Sequence, residues 1–208
     1  MRFQVWYCRS MNAPLKHPVI ALAAVEQADG PLLFDADLYE RLGSAGAFQD
    51  SGRVELLDGV IIRMNSQALP HMRVKTEVGY RLRAAIEVMG GPLEVGIEGS
   101  LRLDDYGVPE PDVMVFATGL LSGFVPAADV RLVVEVSDET LAKELGRKAL
   151  RYAQGGIAEY WVCDIRGHVV HRMSNPTEEG YAERVVVRCG ERLRSATIDG
   201  LAIMVPEF

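Results

Sequence analysis

The segment LVVEVS, residues 132–137, has the composition of a strand buried inside a sheet, yet it carries a carboxylate. Its leucine and valines are typical of a strand that is covered on both faces. As an ion, Glu135 is costly there unless a cation or hydrogen bonds compensate the charge. Strand alternation places Arg131 on the same face, so solvent at the strand end, Arg131 or a more distant group must compensate Glu135.

Helical and strand periodicities interleave along the chain. Asp58-Gly59 separates two apolar runs over 53–64, which predicts a hairpin with a type I′ turn. Apolar positions at helical spacing predict a helix over 69–89. We therefore predict an α/β domain with a mixed β-sheet, flanked by helices and with additional β-hairpins. Other predicted helices cover residues 35–42, with Asp35 as N-cap, and 138–154, and other predicted strands cover 93–103, 112–117, 131–137, 159–165, 168–173 and 181–189.

The length of 208 residues suits one domain, which we assign to residues 31–208, after a loosely ordered arm of residues 1–30. A short apolar stretch in the arm lacks a following small-residue cleavage site, so no signal peptide is predicted, and Met11 is an alternative start. Apolar runs stay far below the roughly 20 residues of a membrane-spanning helix. The three cysteines are scattered and form no C-x-x-C pair, which favours a reducing cytoplasm.

A net charge of −7 argues mildly against nucleic acid as a partner, because nucleic-acid-binding proteins usually have a basic excess. A local basic face is still compatible with that total. If residues 71–83 are helical, Arg73, Lys75 and Arg83 fall within roughly half of the helix circumference. They are candidates for phosphate contacts, and the alternative is a solvated helix surface.

Asp112, Glu135 and Lys148 together suit one kind of chemistry. Asp112 opens a predicted strand after Pro-Glu-Pro, and Lys148 lies on the helix that follows the strand of Glu135. Two carboxylates at the ends of neighbouring strands repel each other unless a cation lies between them, and oxygen ligands suit Mg²⁺ or Mn²⁺. A lysine nearby can position a water or stabilise charge on a phosphate. The set predicts metal-dependent hydrolysis of phosphodiester bonds, with Glu135 paired to the metal.

Two of these residues also have an ordinary interpretation when each is taken alone. Asp112 fits a turn residue that happens to precede a strand, since aspartate is common in turns. Lys148 fits an exposed ion pair with Glu144, four residues earlier, worth about 0.3–0.5 kcal/mol.

Three strings carry a resemblance to a known family: VELLDG, PEPDVMVF and LVVEVSDETLAKELGRKALRYAQGGIAEYWVCDI. They resemble the Uma-two family of endonucleases, within the restriction-endonuclease-like PD-(D/E)xK superfamily. The resemblance covers about residues 33–172. It implies a restriction-endonuclease-like domain, a DNA endonuclease activity that depends on Mg²⁺ or Mn²⁺, and homodimers, as in many relatives of the superfamily.

The resemblance also implies roles for individual residues. Asp112 matches the first acid of the superfamily motif, and Glu135 matches the second. The usual lysine lies two residues after the second acid, where this chain has Ser137, and Lys148 on the following helix takes its place.

Three more residues match the family pattern less directly. Glu55 matches an additional acid near the metal, although its plain interpretation is a solvent-facing hairpin carboxylate. His71 lies where relatives often have a histidine, and Glu144 stands where the family usually has aspartate.

A second function remains open at this stage. The same fold can serve as a catalytically silent module that binds DNA or another protein. The acidic total charge and the displaced lysine both favour that alternative over a highly active nuclease.

Overall fold

The computed structural model describes residues 31–208, and its central element is a six-stranded mixed β-sheet. The strands are β1 (Val54–Leu57), β2 (Val60–Arg63), β3 (Leu93–Ile97), β4 (Leu101–Arg102), β5 (Val113–Ala117), β6 (Val125–Pro126), β7 (Val130–Ser137), β8 (Glu159–Asp164), β9 (Val169–Thr177), β10 (Gly180–Arg188), β11 (Arg192–Arg194) and β12 (Ala202–Met204). The helices are α1 (Ala36–Ser44), α2 (Leu69–Met89), α3 (Leu141–Lys143) and α4 (Ala149–Gln154), with a 3₁₀ turn at Ala127–Asp129 and a π-helical turn at Glu144–Lys148.

The order of strands in the large sheet is β10-β9-β8-β7-β5-β3. Strands β7 and β8 are parallel, with Glu135 opposite Val162, and the other neighbouring pairs are antiparallel. A parallel pair cannot be joined by a tight turn, so the chain must cross over one face of the sheet between them. The helical segment formed by α3, the π-helical turn and α4 makes that crossover, which carries Lys148 towards the strand that holds Glu135.

Apolar side chains cover both faces of the large sheet, as the valine-rich β7 predicts. Val134 belongs to the core beneath α2, while its neighbour Val133 belongs to the core beneath α4. Both are fully buried, since alternate residues of a strand point to opposite faces. Glu135 shares the face of Val133 and therefore points towards the crossover segment.

A smaller unit of α1 and the β1–β2 hairpin packs its own apolar cluster around Tyr39 and Leu56. Asp58 and Gly59 have φ values of 53° and 75°, which fits the predicted type I′ turn. A side chain at Gly59 would place its Cβ 2.7 Å from Leu33, so the turn needs glycine there for space as well as conformation. Asp35 accepts a hydrogen bond from the Leu38 N–H at 2.7 Å, and its prediction as the N-cap of α1 is confirmed.

The helix after β7 differs from its prediction, because it begins at Leu141 and contains a π-helical turn. Asp138 and Glu139 lie before it and pair with Arg166. Gly146, at the centre of the π-helical turn, has a low helix propensity, which favours a departure from regular α geometry. The arm predicted over 1–30, with the alternative start at Met11, lies outside the described residues. Over 31–208, none of the helices is both long and apolar enough to cross a membrane.

Candidate active site

Glu135 lies at the centre of a buried ionic cluster. The Lys148 ammonium donates a hydrogen bond to Glu135 Oε1 at 2.8 Å, and the Tyr152 hydroxyl donates to the same oxygen at 2.8 Å. All three side chains are buried. Lys148 and Tyr152 lie four residues apart on the crossover segment, so one helical face supplies both donors. The carboxyl group of Glu135 is therefore compensated within the protein, by the Lys148 ammonium and the Tyr152 hydroxyl.

Two more carboxylates surround the same ammonium group. Glu144 Oε2 lies 3.6 Å and Glu55 Oε2 lies 4.0 Å from Lys148 Nζ. Glu55 comes from the β1–β2 hairpin and Glu144 from the π-helical turn, so three separate elements place an acid around one lysine. Lys143, which is nearly half exposed, approaches Glu55 Oε1 at 3.8 Å from the solvent side.

Asp112 is held from three directions. The Val136 N–H donates to Oδ2 at 2.8 Å, the Gln67 amide donates to Oδ1 at 3.1 Å, and His71 Nε2 lies 3.2 Å from Oδ2. The Val136 contact crosses from β7 to the residue that precedes β5, because these two strands are neighbours in the sheet. Asp112 is thereby fixed beside the strand of Glu135.

Burial and the neighbouring charges together leave the pKa values of both Glu135 and Lys148 above their usual values. Burial raises the pKa of Glu135 to about 8, against the attraction of Lys148 and with the added repulsion of Glu144 and Asp112. Burial lowers the pKa of Lys148, but the carboxylates of Glu135, Glu144 and Glu55 outweigh it, so the pKa lies above its usual value. The ammonium therefore stays charged at neutral pH.

The pKa of Asp112 moves in the opposite direction from that of Glu135. Burial raises it, but the His71 contact, the Val136 N–H and the charge of Lys148 together lower it below its usual value. Asp112 is thus an anion at neutral pH, while Glu135 takes up a proton more readily than an ordinary glutamate. Two neighbouring carboxyl groups with pKa values moved apart are typical of sites that carry chemistry.

A cleft of about 410 Å³ opens onto these groups. Its lining combines the acidic cluster with polar and basic residues from the β2–α2 loop and the start of the crossover segment. The residues that matter for chemistry are Glu55, Arg63, Gln67, His71, Asp112, Glu135, Lys143, Glu144 and Lys148.

The donor set of this cleft fits a hard divalent cation. Within 31–208, no three His, Cys, Asp or Glu side chains already form a metal-binding group. Mg²⁺ does not need one, since it usually keeps several waters and takes only one or two carboxylates. Glu55 Oε2 and Glu144 Oε2 are buried without a hydrogen-bond partner among the described residues. Such oxygens are costly when unsatisfied, and a cation in the cleft would compensate them.

The structure brings Asp112, Glu135, Lys148, Glu55 and Glu144 to one cleft, and His71 beside it. An exposed Glu144–Lys148 pair is therefore wrong, because both side chains are buried. A solvent-facing Glu55 is wrong for the same reason, since the residue is 2% exposed. In both cases the tertiary fold covers a position that spacing alone leaves at the surface.

The three residues of α2 that were candidates for phosphate contacts, Arg73, Lys75 and Arg83, do not share one solvated face. Arg73 is exposed, and Arg83 is exposed and pairs with Glu87 at 2.9 Å. Lys75 is 6% exposed and bonds to Gln67 and Glu98, which corrects its interpretation as a phosphate contact. Helical spacing gives the relative positions of these residues around the helix axis. It does not show which side of the helix packs against the sheet.

Sequence reasoning missed Lys143 and Gln67, which line the cleft, and Tyr152, which contacts Glu135. For Tyr152 the available signal is its spacing of four residues from Lys148, which places the two side chains on one helical face. Lys143 carried no distinguishing signal. Gln67 lies in a loop without periodicity, so only the folded chain reveals its contact with Asp112.

The sequence profile of the Uma2 family, described as “Putative restriction endonuclease”, matches residues 36–206. The chain belongs to the Uma2 family. Among solved structures, this Uma2 protein resembles a crystal structure described as “a putative nuclease belonging to DUF820” from Anabaena variabilis, with 15% sequence identity and a TM-score of 0.54. That match covers 70% of this chain and 82% of the other, and at this identity it shows the fold. No curated protein matches the chain.

Proposed function

We propose that this Uma2 protein is a metal-dependent endonuclease that hydrolyses DNA phosphodiester bonds. The observation that carries the proposal is the meeting of Asp112, Glu135 and Lys148 at one buried cleft. These residues come from a strand start, a strand end and a helix, and no packing requirement explains two acids and an amine there. Family membership and fold are compatible with this activity.

Asp112 and Glu135 would hold Mg²⁺ or Mn²⁺, with Glu55 as a third acid and Glu144 as an accessory one. When bound, such an ion activates a water and neutralises charge on the phosphate. Glu135 must lose its proton to serve as a ligand, because ligation requires a carboxylate. Val136 lines the same cleft, and its backbone carbonyl would complete the protein's contribution.

Lys148 acts as a charged donor in this proposal. Its ammonium is protonated at neutral pH, so it does not accept the proton of the attacking water. Instead, it can position that water or stabilise the negative charge that develops on phosphate oxygens. Tyr152 holds Glu135 Oε1 from the other side and so orients the acid.

The entrance of the cleft fits a polyanion better than the net charge of −7 suggests. Arg63 and Lys143 line it, and both reach solvent, while the acids Asp138 and Glu139 on the same lining are paired with Arg166. Basic groups at these positions can contact the phosphates on either side of the scissile bond. Arg73 and Arg83 remain weaker candidates for phosphate contacts. A cytoplasmic location and a homodimer also remain predictions.

Plasmid nicking tests the proposal. Purified protein with Mg²⁺ or Mn²⁺ should convert supercoiled plasmid to the open-circular form, and Asp112→Asn should abolish the conversion. Asp199→Asn removes the same charge at an exposed position that does not line the cleft, so it serves as the matched control. Equal nicking by wild type and Asp112→Asn would contradict the proposal.

The second candidate is a catalytically silent module that binds DNA or a protein. It is favoured by the contacts of Glu135, because its Oε1 already accepts two hydrogen bonds from within the chain. Calorimetric titration with Mn²⁺ separates the two candidates. Binding that Asp112→Asn abolishes supports the nuclease, while no binding at millimolar Mn²⁺ supports the silent module.

A further inference from the structure

Lys75 takes part in a partly buried polar network that adjoins Asp112. Its ammonium donates to Gln67 Oε1 and to Glu98 Oε1, and the residue is 6% exposed. Glu98 is held in turn by Arg53, whose Nη1 donates to the same carboxylate oxygen at 2.7 Å. A lysine enclosed in this way cannot reach a phosphate in the cleft, so its burial needs another explanation.

The ammonium of Lys75 determines which end of the Gln67 amide faces Asp112. An ammonium group can only donate hydrogen bonds, so it requires the carbonyl oxygen of Gln67. The amide nitrogen must then point the other way, where it donates to Asp112 Oδ1 at 3.1 Å. Without Lys75, the amide could rotate and present an oxygen to the carboxylate, which would repel it.

The network returns to Asp112 through the main chain. The Glu98 N–H donates to the carbonyl oxygen of Asp112 at 3.2 Å. Glu98 has a φ of 55°, which is unusual for a non-glycine residue. In this conformation its N–H bonds to the Asp112 carbonyl while its carboxylate bonds to Lys75. A closed ring therefore runs from the Asp112 carboxylate through Gln67, Lys75 and Glu98 to the Asp112 carbonyl.

We infer that Gln67 and Lys75 are positioning residues that fix the Asp112 carboxylate for a divalent cation, an inference that rests on the function proposed above. Gln67 holds Oδ1, and the Val136 N–H holds Oδ2, so the carboxylate plane is fixed at both oxygens. His71 Nε2 also lies 3.2 Å from Oδ2, and the carboxylate held in this way lines the cleft. Groups that orient a ligand from behind typically change metal affinity by about 10–100-fold when they are removed.

Mn²⁺ affinity, measured by calorimetry on the full chain, tests this inference. Gln67→Met keeps the length of the side chain and removes its amide, and Lys75→Met removes the ammonium. Each should weaken Mn²⁺ binding by about tenfold or more. The double variant should bind no more weakly than the worse single variant, because both residues act through the same bond to Asp112. Arg102→Met, which removes a cation paired with Asp37 away from the cleft, should leave the affinity unchanged.

The free energy of unfolding in urea with EDTA separates positioning from a purely structural role. Gln67 is only half-buried, so Gln67→Met should fold normally even if Lys75→Met does not. The inference is overturned if both folded variants bind Mn²⁺ as the wild type does, or if their losses add. Asp112→Asn serves as the reference variant that does not bind Mn²⁺. If the wild type binds no Mn²⁺, the proposed function fails, and this inference fails with it.

Discussion

The removal of the Lys148 ammonium is the sharpest test of the ionic cluster. Lys148→Met keeps a similar volume but leaves Glu135, Glu144 and Glu55 without the cation that lies within 4.0 Å of each. Removing one partner of a buried ion pair typically costs about 3–5 kcal/mol, because the remaining charge is uncompensated. Three acids share this lysine, so we expect a loss in the upper part of that range at pH 9.

The loss should depend on pH, and its sign follows from Glu135. The folded protein raises the pKa of Glu135 from 4.5 to about 8, so the contribution of this group is fully present below pH 4.5 and is lost as pH rises through about 8. Without Lys148, the pKa of Glu135 should rise further. At pH 6 the carboxyl is then neutral, and Lys148→Met should cost clearly less than at pH 9.

Urea denaturation followed by tryptophan fluorescence measures both effects, with EDTA present to remove divalent cations. The slope of the free energy against urea should stay constant, since the buried surface is unchanged. Glu135→Gln combined with Lys148→Met should be more stable than Lys148→Met alone, because one uncompensated charge is gone. A cost below about 1 kcal/mol at pH 9, or equal costs at both pH values, would refute this account of the cluster.

Three further predictions concern other parts of the molecule. Glu159 accepts hydrogen bonds from the Trp161 indole and from residues 195–197, so Glu159→Ala should lower the free energy of unfolding by more than about 3 kcal/mol in the same urea assay. The folded protein lowers the pKa of Asp112, so its stabilising effect is present above pH 3.8 and is lost as pH falls through the folded value. In urea titrations, the free energy of unfolding of Asp112→Asn should therefore fall less steeply than that of the wild type over this acidic range. Burial raises the pKa of the Cys163 thiol, so mass spectrometry should find Cys163 unmodified by iodoacetamide at pH 8 until urea unfolds the protein.

The elements with strong local signals could be predicted from the sequence. The bounds of α2 agree with the apolar spacing over Leu69–Met89, and Asp58-Gly59 forms the hairpin turn that its residues favour. The position of Glu135 on a valine-rich strand was itself informative, because a carboxylate there needs a partner. These signals depend on a few neighbouring residues, so they can be recognised without knowledge of the fold.

The contacts between distant elements could not be predicted in the same way. Lys75 and Arg83 lie on one helix, but only the packing of α2 on the sheet buries the first and exposes the second. Glu159 follows a loop and reads as an ordinary strand carboxylate, although the backbone of residues 195–197 encloses it. The π-helical turn likewise depends on the fit between the crossover segment and the sheet, for which Gly146 gave only a weak hint.

The π-helical turn has a consequence for changes of length within the crossover segment. Adding or deleting one codon in a helix rotates everything beyond that point by about 100°. One residue inserted or deleted before Lys148 would therefore turn its amine away from Glu135. The contact between Lys148 and Glu135 therefore depends on the number of residues between β7 and the lysine as much as on the lysine itself.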